Sequence, residues 1–157
     1  MGFFTKPAGA VATGANTPVT RERVAAILEA ADWNIGVDGD GDVFGTWDGH
    51  LFYFFLLGER DEILQVRGRW AGDAPAGAQA ELLPFLDEHH RDRLWPKAYT
   101  REESESTGVY AEMSTDLEFG VADDQLEQLL KCALFTSLQL FDRLAEAFPQ
   151  WAPADAE

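Results

Sequence analysis

The 157-residue chain has a single cysteine, Cys132, so it can form neither an internal disulfide nor a cysteine-based zinc site. It lacks the roughly 18–20 consecutive apolar residues of a membrane-spanning helix. Its longest aromatic and aliphatic run, Leu51 to Leu57, is far shorter than that. A signal peptide needs a basic start followed by an apolar run of about 7–15 residues. Here Lys6 follows Phe3 and Phe4, and Gly and Thr interrupt what comes next. Cations are also scarce. Twelve Lys and Arg against twenty-eight Asp and Glu leave a net charge of -16. That excess repels phosphate backbones and anionic lipid, which argues against nucleic-acid and membrane partners. Gly-x-Ser-x-Gly, His-Glu-x-x-His and dinucleotide fingerprints are missing, and Gly36, Gly39 and Gly41 are separated by acids that would repel a phosphate. These absences lead to the expectation of a cytoplasmic, non-enzymatic protein with no cofactor and no metal.

What is present suffices for a core. Apolar residues make up 46% of the chain and aromatics 12%, so global disorder is not expected. Residues 1–19 read as a flexible N-terminal tail, 20–149 as one domain and 150–157 as a second flexible tail. Thr20 is a suitable helix N-cap, and Val24, Ile27, Leu28 and Ala31 follow at one-face helical spacing. The period then changes to two. Ile35 and Val37 alternate, Asp38 to Asp42 makes an acidic loop, and Val43 to Trp47 and His50 to Leu57 flank Asp48-Gly49, a two-residue hairpin signal. The second of these strands is apolar on both sides, which predicts cover on both faces. Ile63 to Trp70 alternates, with Leu64, Val66 and Trp70 inside and Gln65, Arg67 and Arg69 outside. A second helix ends at Pro96; it either starts near Leu83 with Pro84 in its first turn, the preferred reading, or kinks at Pro84. Two more strands, Lys97 to Arg101 and Val109 to Leu117, are joined by an acidic turn. A long terminal helix then runs from about Asp123 to Phe148, with a wide apolar stripe and with Cys132 and Phe135 on its polar side. Hairpin-sized links favour antiparallel pairing, and the fold class is α+β with helices packed on a mainly antiparallel sheet.

Three phrases, Trp47-Asp48-Gly49-His50-Leu51-Phe52-Tyr53-Phe54, Ile63-Leu64-Gln65-Val66-Arg67-Gly68-Arg69-Trp70 and Arg91-Asp92-Arg93-Leu94-Trp95-Pro96-Lys97-Ala98-Tyr99, stand in this order. With Val109-Tyr110-Ala111-Glu112 behind them, they resemble the actinobacterial branch of the YbjN family over roughly Thr20 to Pro149. The resemblance implies a fold similar to type III secretion chaperones, α-β(3)-α-β(2)-α. It implies no catalytic residue. It does imply a small acidic protein that binds other proteins, often as a homodimer among the chaperone relatives.

Candidate chemistry is sparse. Asp38, Asp40 and Asp42 have the start of an EF-hand spacing, but Val43 and Gly49 stand where the glycine and the bidentate glutamate are needed, so a solvated turn is expected. His50, His89 and His90 have no trustworthy metal spacing, and Cys132 is read as a packed thiol. Arg67, Arg69 and Tyr110 can share the outer face of the sheet, where Arg and Tyr suit a binding surface. The competing possibility is that the arginines pair with Glu112 and Asp116 across strands. Phe135 is a further candidate contact. Trp47, Trp70 and Trp95 are expected in the core. The expected function is a chaperone-like or regulatory adaptor that binds another protein, with homodimerisation. The alternative is a small-molecule-sensing regulatory domain.

Overall fold

The computed structural model describes residues 14–154. Helix α1 (Arg21–Ala30) is followed by strands β1 (Ile35–Val37), β2 (Val43–Trp47), β3 (His50–Leu57) and β4 (Ile63–Arg69). Helix α2 (Gln79–Asp92), strands β5 (Lys97–Glu102) and β6 (Thr107–Asp116), and helix α3 (Asp123–Ala147) complete the chain. The class is α+β, as expected, with four strands rather than three before the second helix. All six strands form one antiparallel sheet in the order β1-β2-β3-β4-β6-β5.

Local chemistry explains the ends of the elements. The Thr20 hydroxyl accepts from the Arg23 amide at 3.2 Å and caps α1. Asp48 and Gly49 take φ of 50° and 80°, the left-handed pair that a tight hairpin requires. Pro84 lies inside α2 rather than in its first turn. It sits early in the helix, and the carbonyl it leaves without a partner belongs to Ala80, which faces solvent.

The three helices cover one face of the sheet. Phe52, Phe54, Leu64, Val66, Val109 and Ala111 point into that layer and are buried. They meet Val24 and Leu28 of α1, Leu82 and Leu86 of α2, and Leu126, Leu130, Leu134, Leu140, Phe141 and Leu144 of α3. The predicted stripe of α3 is therefore the core side. Among the described residues, the helices cover strand β3 on one face only. Its other row, Leu51, Tyr53, Phe55 and Leu57, is half-buried to exposed, because all the helices lie on the opposite side.

Two expectations about the ends of the domain shift. Thr17 pairs with Val121 and Val19 is buried, so the described packing starts before residue 20. At the other end Trp151 stacks on Phe148 at 5.2 Å, and its carbonyl accepts from the Asp73 amide. Residues 1–13 and 155–157, which hold most of the expected tails, lie outside the described residues.

His50 and His89 are buried acceptors in this core. The His50 Nδ1 accepts from the Ala71 amide at 2.9 Å, and the ring lies 4.7 Å from that of Phe141. The His89 Nδ1 accepts from Arg143 Nη1 at 3.3 Å, which leaves its Nε2–H to donate to the Pro96 carbonyl at 2.9 Å. Burial lowers the pKa of both imidazoles below their ordinary 6.5. The unfolded chain then takes up the protons first, so their contribution is present above pH 6.5 and fades as the pH falls through it. Thermal stability should fall between about pH 7.5 and pH 5.5, and His89→Gln should flatten that slope in a calorimetric series.

Packing across the β3–β4 pair is tight at Gly68, which stands opposite Phe52 and has no room for a Cβ against that ring. Gly68→Ala should cost about 1–3 kcal/mol by overpacking. Gly39→Ala, where nothing lies within 4 Å, should leave the urea midpoint unchanged.

Candidate functional site

The face of the sheet away from the helices carries the chemistry. The period of two puts Arg67 and Arg69 of β4 outward, and the register sets them opposite Tyr53 and Leu51 on one side and Glu112 and Tyr110 on the other. On the β3 side Phe44 and Tyr53 lie 5.6 Å apart, and Tyr53 stacks on Phe55 at 5.2 Å with nearly parallel rings. The Arg67 guanidinium sits 5.1 Å from the centre of the Phe55 ring. On the β5–β6 side Tyr99 and Tyr110 stack at 5.6 Å, with Arg101 over both rings at 5.6 and 5.8 Å.

Two carboxylates organise these cations. Glu112 is buried, and it accepts from Lys97 at 2.9 Å, from the Tyr99 hydroxyl at 2.8 Å and from Arg67 Nε at 3.3 Å. Burial works to raise its pKa, but the Lys97 and Tyr99 hydrogen bonds and the two nearby cations prevail and hold it below the usual value. Burial and the Glu112 bond push Tyr99 up to about 12, so its hydroxyl remains a donor. Glu103 receives Arg69 at 3.0 and 2.6 Å as a two-pronged pair, together with the Tyr110 hydroxyl at 2.6 Å and the Ser106 hydroxyl at 3.0 Å. Arg69 and Tyr110 lower its pKa to about 2.

The structure thus brings Arg67, Arg69 and Tyr110 together on one face. Phe135 is elsewhere. It is half-buried on α3, edge-on to Trp33 at 6.1 Å, and faces a groove that also holds Cys132 and Trp95. Arg67 pairs with Glu112 as the cross-strand alternative has it, whereas Arg69 does not reach Asp116. The register sets Asp116 opposite Ile63, and its carboxylate caps the Glu118 amide instead. Glu103 was to be expected in an exposed acidic turn, yet it folds back onto the sheet and becomes the partner of Arg69. Trp70 is buried, Trp47 is half-buried against Phe52 and Phe54, and Trp95 is exposed rather than in the core. Sequence reasoning passed over Tyr99 and Arg101. Their signal was available, since Lys97, Tyr99 and Arg101 repeat every second residue as Arg67 and Arg69 do.

The remaining candidates have structural partners. Asp38 accepts from the Asp40 and Asp42 amides at 3.0 Å each, and Asp42 pairs with Arg21. Among the described residues no group of His, Cys, Asp and Glu is placed to hold a metal ion. Cys132 is buried, which raises its pKa and suppresses the thiolate. Among the described residues no helix is long and apolar enough to cross a membrane.

Comparison with known proteins agrees with this architecture. Residues 20–146 match the family model "YbjN: Putative bacterial sensory transduction regulator", and the chain belongs to that family. The "Crystal structure of YbjN, a putative transcription regulator from E. coli" is similar with a TM-score of 0.69. The likeness covers 86% of this chain and 96% of that one at 15% identity, and it is a likeness of fold. No curated protein matches.

The Glu103 cluster has a direct test. Its pKa is depressed, so its contribution is complete above the ordinary 4.5 and is lost as the pH falls towards 2. The Glu103 carboxyl carbon should titrate by NMR with a midpoint of about 2. Arg69→Gln should return that midpoint towards 4.5.

Proposed function

We propose that the chain is a non-enzymatic protein-binding module, a regulatory adaptor of chaperone-like character, which takes another polypeptide on the open face of its sheet. The observation that carries this reading is that the chain's own helices leave the Phe44, Tyr53 and Phe55 stack and the Tyr99 and Tyr110 stack uncovered. Rigid aromatics flanked by arginines are the residue types that dominate protein interfaces. The histidines and Cys132 support the non-enzymatic part, since each has a structural role: His50, His89 and His90 bond backbone groups, and Cys132 is buried.

A second copy of the chain is the occupant favoured by charge. Two molecules of net charge -16 repel each other, and an acidic face would add to that cost. On this face Arg67, Arg69, Lys97 and Arg101 stand against Glu103, Glu112 and Asp116, so it is close to neutral. Two such faces can meet without the repulsion that the rest of the surface would impose. A stable contact buries about 800 Å² on each partner, which a face several strands wide can supply.

Light scattering should report about twice the chain mass of 17.4 kDa. Phe55→Glu, which alters only the open face, should return it to 17.4 kDa with an unchanged circular dichroism spectrum. A wild-type chain that stays at the single mass at about 100 µM, and that also pulls down no protein Phe55→Glu fails to bind, would sink the reading.

A further inference from the structure

The open face carries one cation that the chain itself does not neutralise. Arg67 and Lys97 pair with Glu112, and Arg69 pairs with Glu103. Arg101 lies over the Tyr99 and Tyr110 rings at 5.6 and 5.8 Å and, among the described residues, forms no ion pair. Its support is held from below. The two rings stack on each other, the Tyr99 hydroxyl donates to Glu112, and the Tyr110 hydroxyl donates to Glu103. A guanidinium that lies on aromatic rings can still offer its N–H edge, and that planar fork matches a carboxylate. Because the rings hold Arg101 in place before a partner arrives, less side-chain freedom is lost on binding.

The strand registers limit what a second copy can bring to that cation. Tyr99, Tyr110, Arg69, Leu51 and Thr46 form one row across the sheet. Two residues further on, Arg101 of β5 and Asp48 at the β2–β3 turn therefore stand at the same level, towards opposite edges of the sheet. Asp48 is exposed and, among the described residues, forms no ion pair. When two open faces meet, the two-fold axis can run across the strands or along them. Across the strands, it lays each strand on its own copy, which sets β4 with Arg67 and Arg69 against itself and β5 with Lys97 and Arg101 against itself. Along the strands, between β3 and β4, it keeps the level and reverses the strand order. The arginines of β4 then meet the Leu51, Tyr53 and Phe55 row of β3, and the β5 edge meets the edge that holds Asp48. Only the second placement keeps like charges apart, and like charges set face to face oppose association strongly.

We propose that two copies of the chain meet about an axis running along the strands between β3 and β4, with Arg101 of each copy paired to Asp48 of the other. The pairing rests on the reading of the open face as a self-contact, and it adds the orientation of the two copies and the charge pair that selects it. The symmetry makes the contact twice. It lies at the flanks of the interface, where a charge pair fixes orientation and partner choice more than it adds affinity.

Analytical ultracentrifugation of the full chain and two variants tests this. Arg101 is exposed, and Asn suits the φ of 50° that the turn requires at position 48, so Arg101→Gln and Asp48→Asn should both keep the wild-type circular dichroism spectrum. Arg101→Gln should weaken self-association about tenfold, from roughly threefold at each of the two contacts. Asp48→Asn is the discriminating variant. It removes one negative charge from a chain of net charge -16, which by itself would ease the repulsion between copies and tighten the contact. The pair demands the opposite, a loss of about tenfold. The double variant should be no weaker than either single one, because the same contact is removed only once. The pairing is overturned if Asp48→Asn associates as tightly as wild type or more tightly, or if the two losses add in the double variant. A wild-type chain that does not self-associate overturns the self-contact itself. Self-association that Phe55→Glu abolishes and that neither Arg101→Gln nor Asp48→Asn weakens overturns the pairing alone.

Discussion

The register between β3 and β4 is the constraint on which the rest of the molecule depends. It sets Phe52 opposite Gly68, and the ring fills the space a side chain at 68 would need. With that pair inside, the period of two sends Tyr53 and Arg67 outward, and the β4–β6 register adds Glu112 to the same row. A slip of one residue would put Phe52 and Arg67 on the same face, so that either the arginines enter the core or Phe52 and Phe54 come to the surface. The core and the outer charge network are thus two consequences of one alignment.

The same alignment governs how an acidic chain uses its few cations. Most of them tie distant segments together. Arg23 of α1 holds the Thr17, Pro18 and Val121 carbonyls and pairs with Asp123 at the start of α3. Arg67, Arg69 and Lys97 tie β4, β5 and β6 through Glu112 and Glu103. The excess of negative charge is left on the remaining surface, and the open sheet face stays close to balance. A neutral face rich in aromatics, on a molecule that otherwise repels its own kind, is a physical basis for selective association.

Membership in the YbjN family fixes the architecture more firmly than the job. The likeness to the E. coli structure at 15% identity is a likeness of fold.

Much was legible in the sequence because it is local. The alternation of Ile63 to Trp70, the Asp48-Gly49 turn, the Thr20 cap and the stripe on α3 each follow from a period or a backbone preference within a few residues, and the strands and helices lie close to where those signals put them. Pro84 departs from its expected place because a helix can give up one hydrogen bond near its start when the orphaned carbonyl faces water. What the tertiary structure alone decided depends on residues far apart in the chain. The partner of Arg69 is Glu103, 34 residues on, the second face of β3 is left open, and Trp95 stays at the rim of a groove instead of entering the core. Local periodicity tells a side chain which way to point, but only the order of the strands and the side taken by the helices determine what it meets there.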